Sequence, residues 1–261
     1  MKFKCITSPI KNGVFLLTIL IFFSCSNKKE NVQLRIATAA NMQFAMKELV
    51  QEFSEKTGIT CETIVSSSGK LTAQIKAGAA YDIFVSANTK YPNELYKSRI
   101  VSQKPEIYAY GSLVLWTLKD GLKPSVELLQ DNRIKHIAVA NPKTAPYGSA
   151  AIIFLKNTGV YDQVKPKLVF GESISSVNQF IFSESAEIGF TAQSVVLSPK
   201  MKGKGQWLSL NADVYPPIEQ GVVLIPQKEE KRTENAAKFY KFLFSPEAQQ
   251  ILREYGYQPA K

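Results

Sequence analysis

Residues 59–78 read Ile59-Thr-Cys-Glu-Thr-Ile-Val65-Ser-Ser-Ser68-Gly69-Lys70-Leu-Thr-Ala-Gln-Ile75-Lys-Ala-Gly78. The first seven, rich in β-branched and apolar side chains, predict a strand. Residues 70–77 carry helical spacing and Gly78 ends them. Between strand and helix lies a turn of small hydroxyl residues. The same design recurs three times. Ile36-Ala-Thr-Ala-Ala-Asn41 precedes a helix from Met42. Val139-Ala-Asn-Pro-Lys-Thr-Ala-Pro-Tyr147-Gly148 precedes one from Ser149, and Val169-Phe-Gly-Glu-Ser-Ile174-Ser175 one from Ser176. Short strands alternating with helices in this way predict an α/β fold with parallel sheets.

Working outward, further strands are expected at residues 82–86, 112–117, 187–191, 207–210 and 221–225, and short helices at 91–97 and 125–130. A C-terminal helix over 235–255 breaks at Ser245-Pro246, where proline starts a second helix. The order of elements predicts two lobes. Residues 34–110 plus 220–261 form lobe 1 and residues 112–215 form lobe 2. Crossings near Tyr110-Gly111 and Pro216-Pro217 act as a hinge.

Residues 1–24 read as an export signal rather than fold. Lys2, Lys4 and Lys11 precede a ten-residue apolar run, Val14 to Phe23, which is too short to span a bilayer. Ser24-Cys25 follows. A cysteine directly after a small residue resembles a lipoprotein lipobox, although Phe22 and Phe23 are bulkier than its usual residues. Cys25 is therefore expected to be lipidated, with residues 25–33 as a polar tether to the membrane. The protein is expected in the periplasm or cell envelope. Of the three cysteines, Cys61 alone remains in the folded part, which excludes a disulfide framework. It is expected to be a buried hydrophobe.

The net charge of +10 falls to +7 without residues 1–24, which carry three lysines and no acids. The lysines are scattered, without an aromatic-interleaved stripe, so nucleic acid is not an expected partner. The four polar turns are more informative. In an open parallel sheet, ligands sit beyond the carboxyl ends of the strands. Helix N-termini there present unbonded N–H groups and the positive end of the dipole. Small residues and hydroxyls let an anion come close. Two turns in each lobe would surround one small dianion with neutral donors. Taken singly, Asn41, Ser68 and Ser175 could equally be ordinary helix caps.

Other chemistries fit less well. Ser67-Ser-Gly-Lys70 matches the Ser-x-x-Lys nucleophile pattern of acyl-enzymes, but so do Ser8–Lys11 and Ser26–Lys29, and no Ser-Asp-Asn or Lys-Thr-Gly block accompanies it. A phosphate loop ending at Lys70 lacks its first glycine, since Ile64 stands there. His136 is the only histidine, which argues against a zinc site. A structural or adhesion lipoprotein is the reading left if no anion binds.

The run Ala37-Thr-Ala-Ala-Asn41-Met42, the blocks Ser66-Ser-Ser-Gly-Lys-Leu-Thr-Ala-Gln-Ile75 and Tyr81-Asp-Ile-Phe-Val-Ser-Ala87, and the segments Asn141-Pro142, Pro146-Tyr-Gly148, Glu187-Ile-Gly189, Phe239-Tyr-Lys-Phe-Leu-Phe-Ser-Pro-Glu-Ala248 and Tyr255-Gly-Tyr257 resemble the molybdate-binding subunits of molybdate ABC importers. The resemblance spans nearly the whole mature chain. It implies a two-lobe type II periplasmic-binding-protein fold, each lobe a mixed, mostly parallel sheet flanked by helices. It implies no enzyme activity and no cofactor, with molybdate or tungstate as the ligand, an importer permease as partner and a monomer. It implies that Asn41 with the Ala40 backbone, Ser68, Tyr147 and Ile174 hold the oxyanion: Ser68 through hydroxyl and N–H, Asn41 through its amide, and Tyr147 and Ile174 mainly through backbone N–H. Some members add a tyrosine hydroxyl at the place of Ala192, and that contact is absent here. Sulfate or phosphate on the same fold is the alternative ligand.

Overall fold

The computed structural model describes residues 1–2 and 33–260. The expected signal beyond Lys2, Cys25 and the tether up to residue 32 lie outside the described residues. Residues 33–260 form one compact unit.

β1 (Leu34–Ala39) passes through a 3-10 turn at Ala40–Met42 into α1 (Gln43–Thr57). β2 (Cys61–Ser66) leads into α2 (Ser68–Lys76), and β3 (Ile83–Ser86) into α3 (Lys90–Lys97). β4 (Glu106–Gly111) and β5 (Leu113–Thr117) follow each other with one residue between. Next come β6 (Ile137–Ala140), α4 (Pro146–Asn157), α5 (Tyr161–Val164), β7 (Leu168–Gly171), α6 (Ile174–Phe182), β8 (Ile188–Ala192), α7 (Gln193–Val196) and β9 (Gln206–Ser209). β10 (Ile218–Leu224), α8 (Glu230–Leu243), α9 (Pro246–Glu254) and β11 (Gln258–Pro259) complete the described chain.

The strands form two mixed sheets, of order β11-β4-β10-β3-β1-β2 and β7-β6-β8-β5-β9. Parallel pairing is confined to β2-β1-β3 and β7-β6-β8. Four of these six strands, β1, β2, β6 and β7, feed the polar turns. The strands next to the crossings, β4, β5 and β10, run antiparallel to their neighbours. Successive residues of β3 face opposite ways: Ile83 and Val85 join the core with Leu49 and Phe53, and Phe84 joins the one with Leu71 and Leu95. The second sheet has its own core around Trp116, Phe154 and Phe190. At the edge of the first sheet Cys61 is half-buried rather than buried, and desolvation pushes its thiol up to about 11.

Several elements depart from their sequence reading. β4 was not evident, because its six residues show no clean alternation and gain their order from β10 and β11. Three helices start earlier than apolar spacing suggests: α2 at Ser68, α4 at Pro146 and α6 at Ile174. Pro146, with φ already set, opens α4. Ser173 rather than Ser175 caps α6, its Oγ accepting the Ser176 N–H at 3.4 Å. α8 starts at Glu230, five residues before 235, through a polar stretch that carries no apolar period. Residues 125–130 yield only a 3-10 turn over Glu127–Gln130.

The first turn of α4 lies tightly against the end of β6. A Cβ on Gly148 would stand 1.9 Å from the Ala140 carbonyl oxygen. Backbone cannot yield as a flexible side chain can. Gly148→Ala is expected to cost about 3 kcal/mol, seen as a lower urea midpoint at unchanged m-value. A midpoint equal to wild type would show that this approach is not fixed.

Candidate functional site

The polar turns of both sheets converge. Ala40, Asn41, Ser68, Tyr147 and Ile174 line one cavity, together with Ala39, Ser67, Ala87, Ala145 and Pro146. Its volume is about 10 Å³, on the order of a single water. Ligand pockets for drug-sized molecules run to roughly 300–1,000 Å³, so this cavity excludes them. Asn41, Ser68, Tyr147 and Ile174 are all buried. Among the described residues, no lysine, arginine, histidine or carboxylate lines the cavity. A larger, open cleft runs along α1 past Lys47, Glu48, Gln51 and Glu52, and it contains none of the five expected residues.

Helix starts supply donors without charge. The first intrahelical bonds are Leu71 N–H to Ser67 O in α2, Ser149 N–H to Ala145 O in α4 and Val177 N–H to Ser173 O in α6. The N–H groups of Ser68, Tyr147 and Ile174 come before those bonds, so the helices leave them unbonded. Pro146 has no N–H, which makes Tyr147 the first donor of α4. Three helices of 9, 12 and 9 residues thus aim their positive ends at one place.

The side chains divide between the cavity and its support. Ser68 Oγ accepts the Ala87 N–H at 3.0 Å, which leaves the hydroxyl proton free to donate. Ser67 Oγ is buried and has no partner. Its place on the cavity wall was not read from the sequence, where Ser67 figured only as a nucleophile candidate. The available signal was position: Ser67 is the residue before the first helical one. Ala87 was missed for the same reason that hides any backbone contact, since its side chain says nothing of its N–H.

Asn41 differs from expectation. Its Nδ2 donates to Gln220 Oε1 and to the Tyr257 hydroxyl, each at 2.8 Å. Both amide protons are therefore engaged behind the cavity, and the amide is a joint rather than a free donor. Ser194 Oγ and the Tyr257 hydroxyl both donate to Asn41 O, at 2.8 and 3.2 Å. This buried seam joins residues of the first sheet's half to Ser194 in α7, close behind Ala192. The Tyr147 hydroxyl also points away to the crossing: a Cβ on Gly111 would lie 2.1 Å from it. Burial, then the neighbouring Tyr257 and Tyr108, hold that hydroxyl far above the usual phenol range. What Tyr147 brings to the cavity is its position in the first turn of α4.

The rival chemistries lack their geometry. Lys70 Nζ pairs with Glu172 Oε1 at 2.7 Å, half-exposed, and has no bond to Ser67. A cysteine–histidine nucleophile pair would need Cys61, which begins β2 of one sheet, and His136, which is exposed before β6 of the other, near Glu187. Among the described residues no cluster of three metal-ligating side chains occurs, and no helix is long and apolar enough to cross a membrane.

Residues 34–258 match the model of a family described as bacterial extracellular solute-binding protein. The molybdate-binding protein ModA of Rhodobacter capsulatus is 38% identical over 223 residues, covering 85% of this chain and 86% of the relative. ModA of Azotobacter vinelandii is 35% identical over 237 residues, covering 90% and 92%. The solved structure of the Azotobacter vinelandii periplasmic molybdate-binding protein superposes with a TM-score of 0.82 at 31% identity, covering 87% of this chain and all of that one.

The seam behind the cavity can be tested without ligand. Tyr257→Phe removes one hydroxyl and leaves Asn41 and Ser194 short of a buried partner, which is expected to cost about 1–3 kcal/mol. Thermal unfolding of the variant at wild-type midpoint would show that the seam contributes nothing.

Proposed function

This chain belongs to the family of bacterial extracellular solute-binding proteins, and we propose that it binds molybdate or tungstate between two lobes and delivers it to an ABC importer. Residues 34–110 with 220–261 form one lobe and residues 112–215 the other, moving about the two crossings. The protein is a transport binding protein rather than an enzyme. One observation carries the choice of ligand class: unbonded first-turn N–H groups from both sheets meet at one small cavity whose described wall holds no ionised side chain. A fully deprotonated dianion satisfies many donors at once and needs no counter-ion when those donors are fixed. The identity to ModA proteins supports molybdate over other tetrahedral anions. In this role the chain crosses the inner membrane and stays at the cell envelope by a lipid on Cys25.

Calorimetric titration with molybdate, tungstate, sulfate and phosphate tests the reading. Molybdate and tungstate are expected to bind most tightly. Preference for sulfate or phosphate would reassign the ligand, and a chain that binds none of the four would overturn the function. Ser68→Ala and Ser67→Ala each remove a hydroxyl from the wall and are expected to weaken molybdate binding about tenfold to a hundredfold, the loss of a charge-assisted hydrogen bond of roughly 1.5–3 kcal/mol. Lys70→Ala and Lys143→Ala are expected to change affinity little, because exposed charges are screened. The reverse ordering would place the anion elsewhere.

The anchor has its own test. Cys25→Ala is expected to move the protein from the membrane to the soluble fraction, and a wild-type protein that incorporates no labelled fatty acid would contradict lipidation.

A further inference from the structure

Beside the cavity, a second set of contacts joins the two halves at the mouth. The Gly69 N–H, in the first turn of α2, donates to Thr144 O at 2.9 Å. The Tyr91 hydroxyl, at the start of α3, donates to Lys143 O at 2.9 Å. The two acceptors are adjacent carbonyls on the loop between β6 and α4. That loop is braced from within: Lys143 N–H donates to Asn141 Oδ1 at 3.0 Å, and Thr144 N–H to Asn141 O at 3.1 Å. A stiff edge of the second half thus meets a helix start and a phenol of the first. Gly69 and Tyr91 are both absent from the cavity wall.

At Gly69 the two halves approach closely. A Cβ there would lie 2.9 Å from Thr144 Cα, 3.0 Å from Thr144 O and 3.0 Å from the Tyr91 hydroxyl. Two of these three neighbours are backbone and cannot move aside alone. The local conformation does not ask for glycine. Gly69 is helical, and the positive-φ glycines lie elsewhere. Alanine is the better helix former, so the chain of one half gains nothing from glycine at this position. What glycine permits is the approach of the other half.

We propose that Gly69 and Tyr91 form a latch that holds the two halves closed over the anion and sets how long it stays bound, an inference that rests on the binding function proposed above. Contacts made only after closure act on release rather than capture. The Lys70–Glu172 ion pair next to the latch, half-exposed, adds little because it is solvated.

Molybdate release from the whole mature protein, followed by rapid mixing with excess tungstate, tests the latch in wild type, Tyr91→Phe and Gly69→Ala. Tyr91→Phe leaves Lys143 O without its donor and is expected to release molybdate about three- to tenfold faster, the effect of one neutral hydrogen bond. Gly69→Ala is expected to release it at least about tenfold faster, with association nearly unchanged. Without ligand, Gly69→Ala is expected to melt no lower than wild type, because alanine suits the helix once the halves part. A contact needed merely for folding would instead lower that melting point. Release at the wild-type rate in Tyr91→Phe overturns the latch, and so does a ligand-free Gly69→Ala that melts well below wild type. A wild-type protein that takes up no molybdate overturns the binding function and the latch with it.

Discussion

Backbone N–H groups at a helix start have no partner inside their own helix, and here three such starts face one small cavity. That concentration of unmet donors is the constraint on which the rest of the structure depends. It demands an acceptor-rich occupant, and it demands strands that end side by side. The parallel trios β2-β1-β3 and β7-β6-β8 meet the second demand, because parallel strands deliver their turns to the same edge. Antiparallel pairing is found where the chain crosses between sheets, and no helix start of the cavity depends on it.

Neutral donors change how the site discriminates. A lysine in the wall would attract any anion through water, whereas fixed N–H groups and hydroxyls reward only an anion that fits and sheds its hydration. The wall therefore needs rigidity more than charge. Ser68 is held by the Ala87 N–H, and Asn41 by Gln220, Tyr257 and Ser194. Gly148 and Gly111 let α4 approach β6 and the crossing. The buried polar side chains around the cavity act as supports for a site built mostly from backbone.

The strand–turn–helix pattern was legible because it lies within short stretches of chain, where period and turn chemistry speak for themselves. The same locality placed Ala40, Asn41, Ser68, Tyr147 and Ile174 near one another through the resemblance. What the sequence hid are bonds between distant segments. The Asn41 amide is claimed by residues 179 and 216 positions away. Nothing around Asn41 reveals that. Gly69 read as part of a polar turn, because its reason lies in Thr144 across the cavity mouth. β4 and the start of α8 have no local signal, since partners and solvent shape them rather than their own period.

The most direct test is a crystal structure of the molybdate complex with the metal located by its anomalous scattering. Molybdenum is expected in the cavity between the starts of α2, α4 and α6, its oxygens within hydrogen-bond distance of the Ser67 and Ser68 hydroxyls and of first-turn N–H groups, with no lysine or arginine nitrogen in contact. Molybdenum seated elsewhere, or held there by a cationic side chain, would contradict this site.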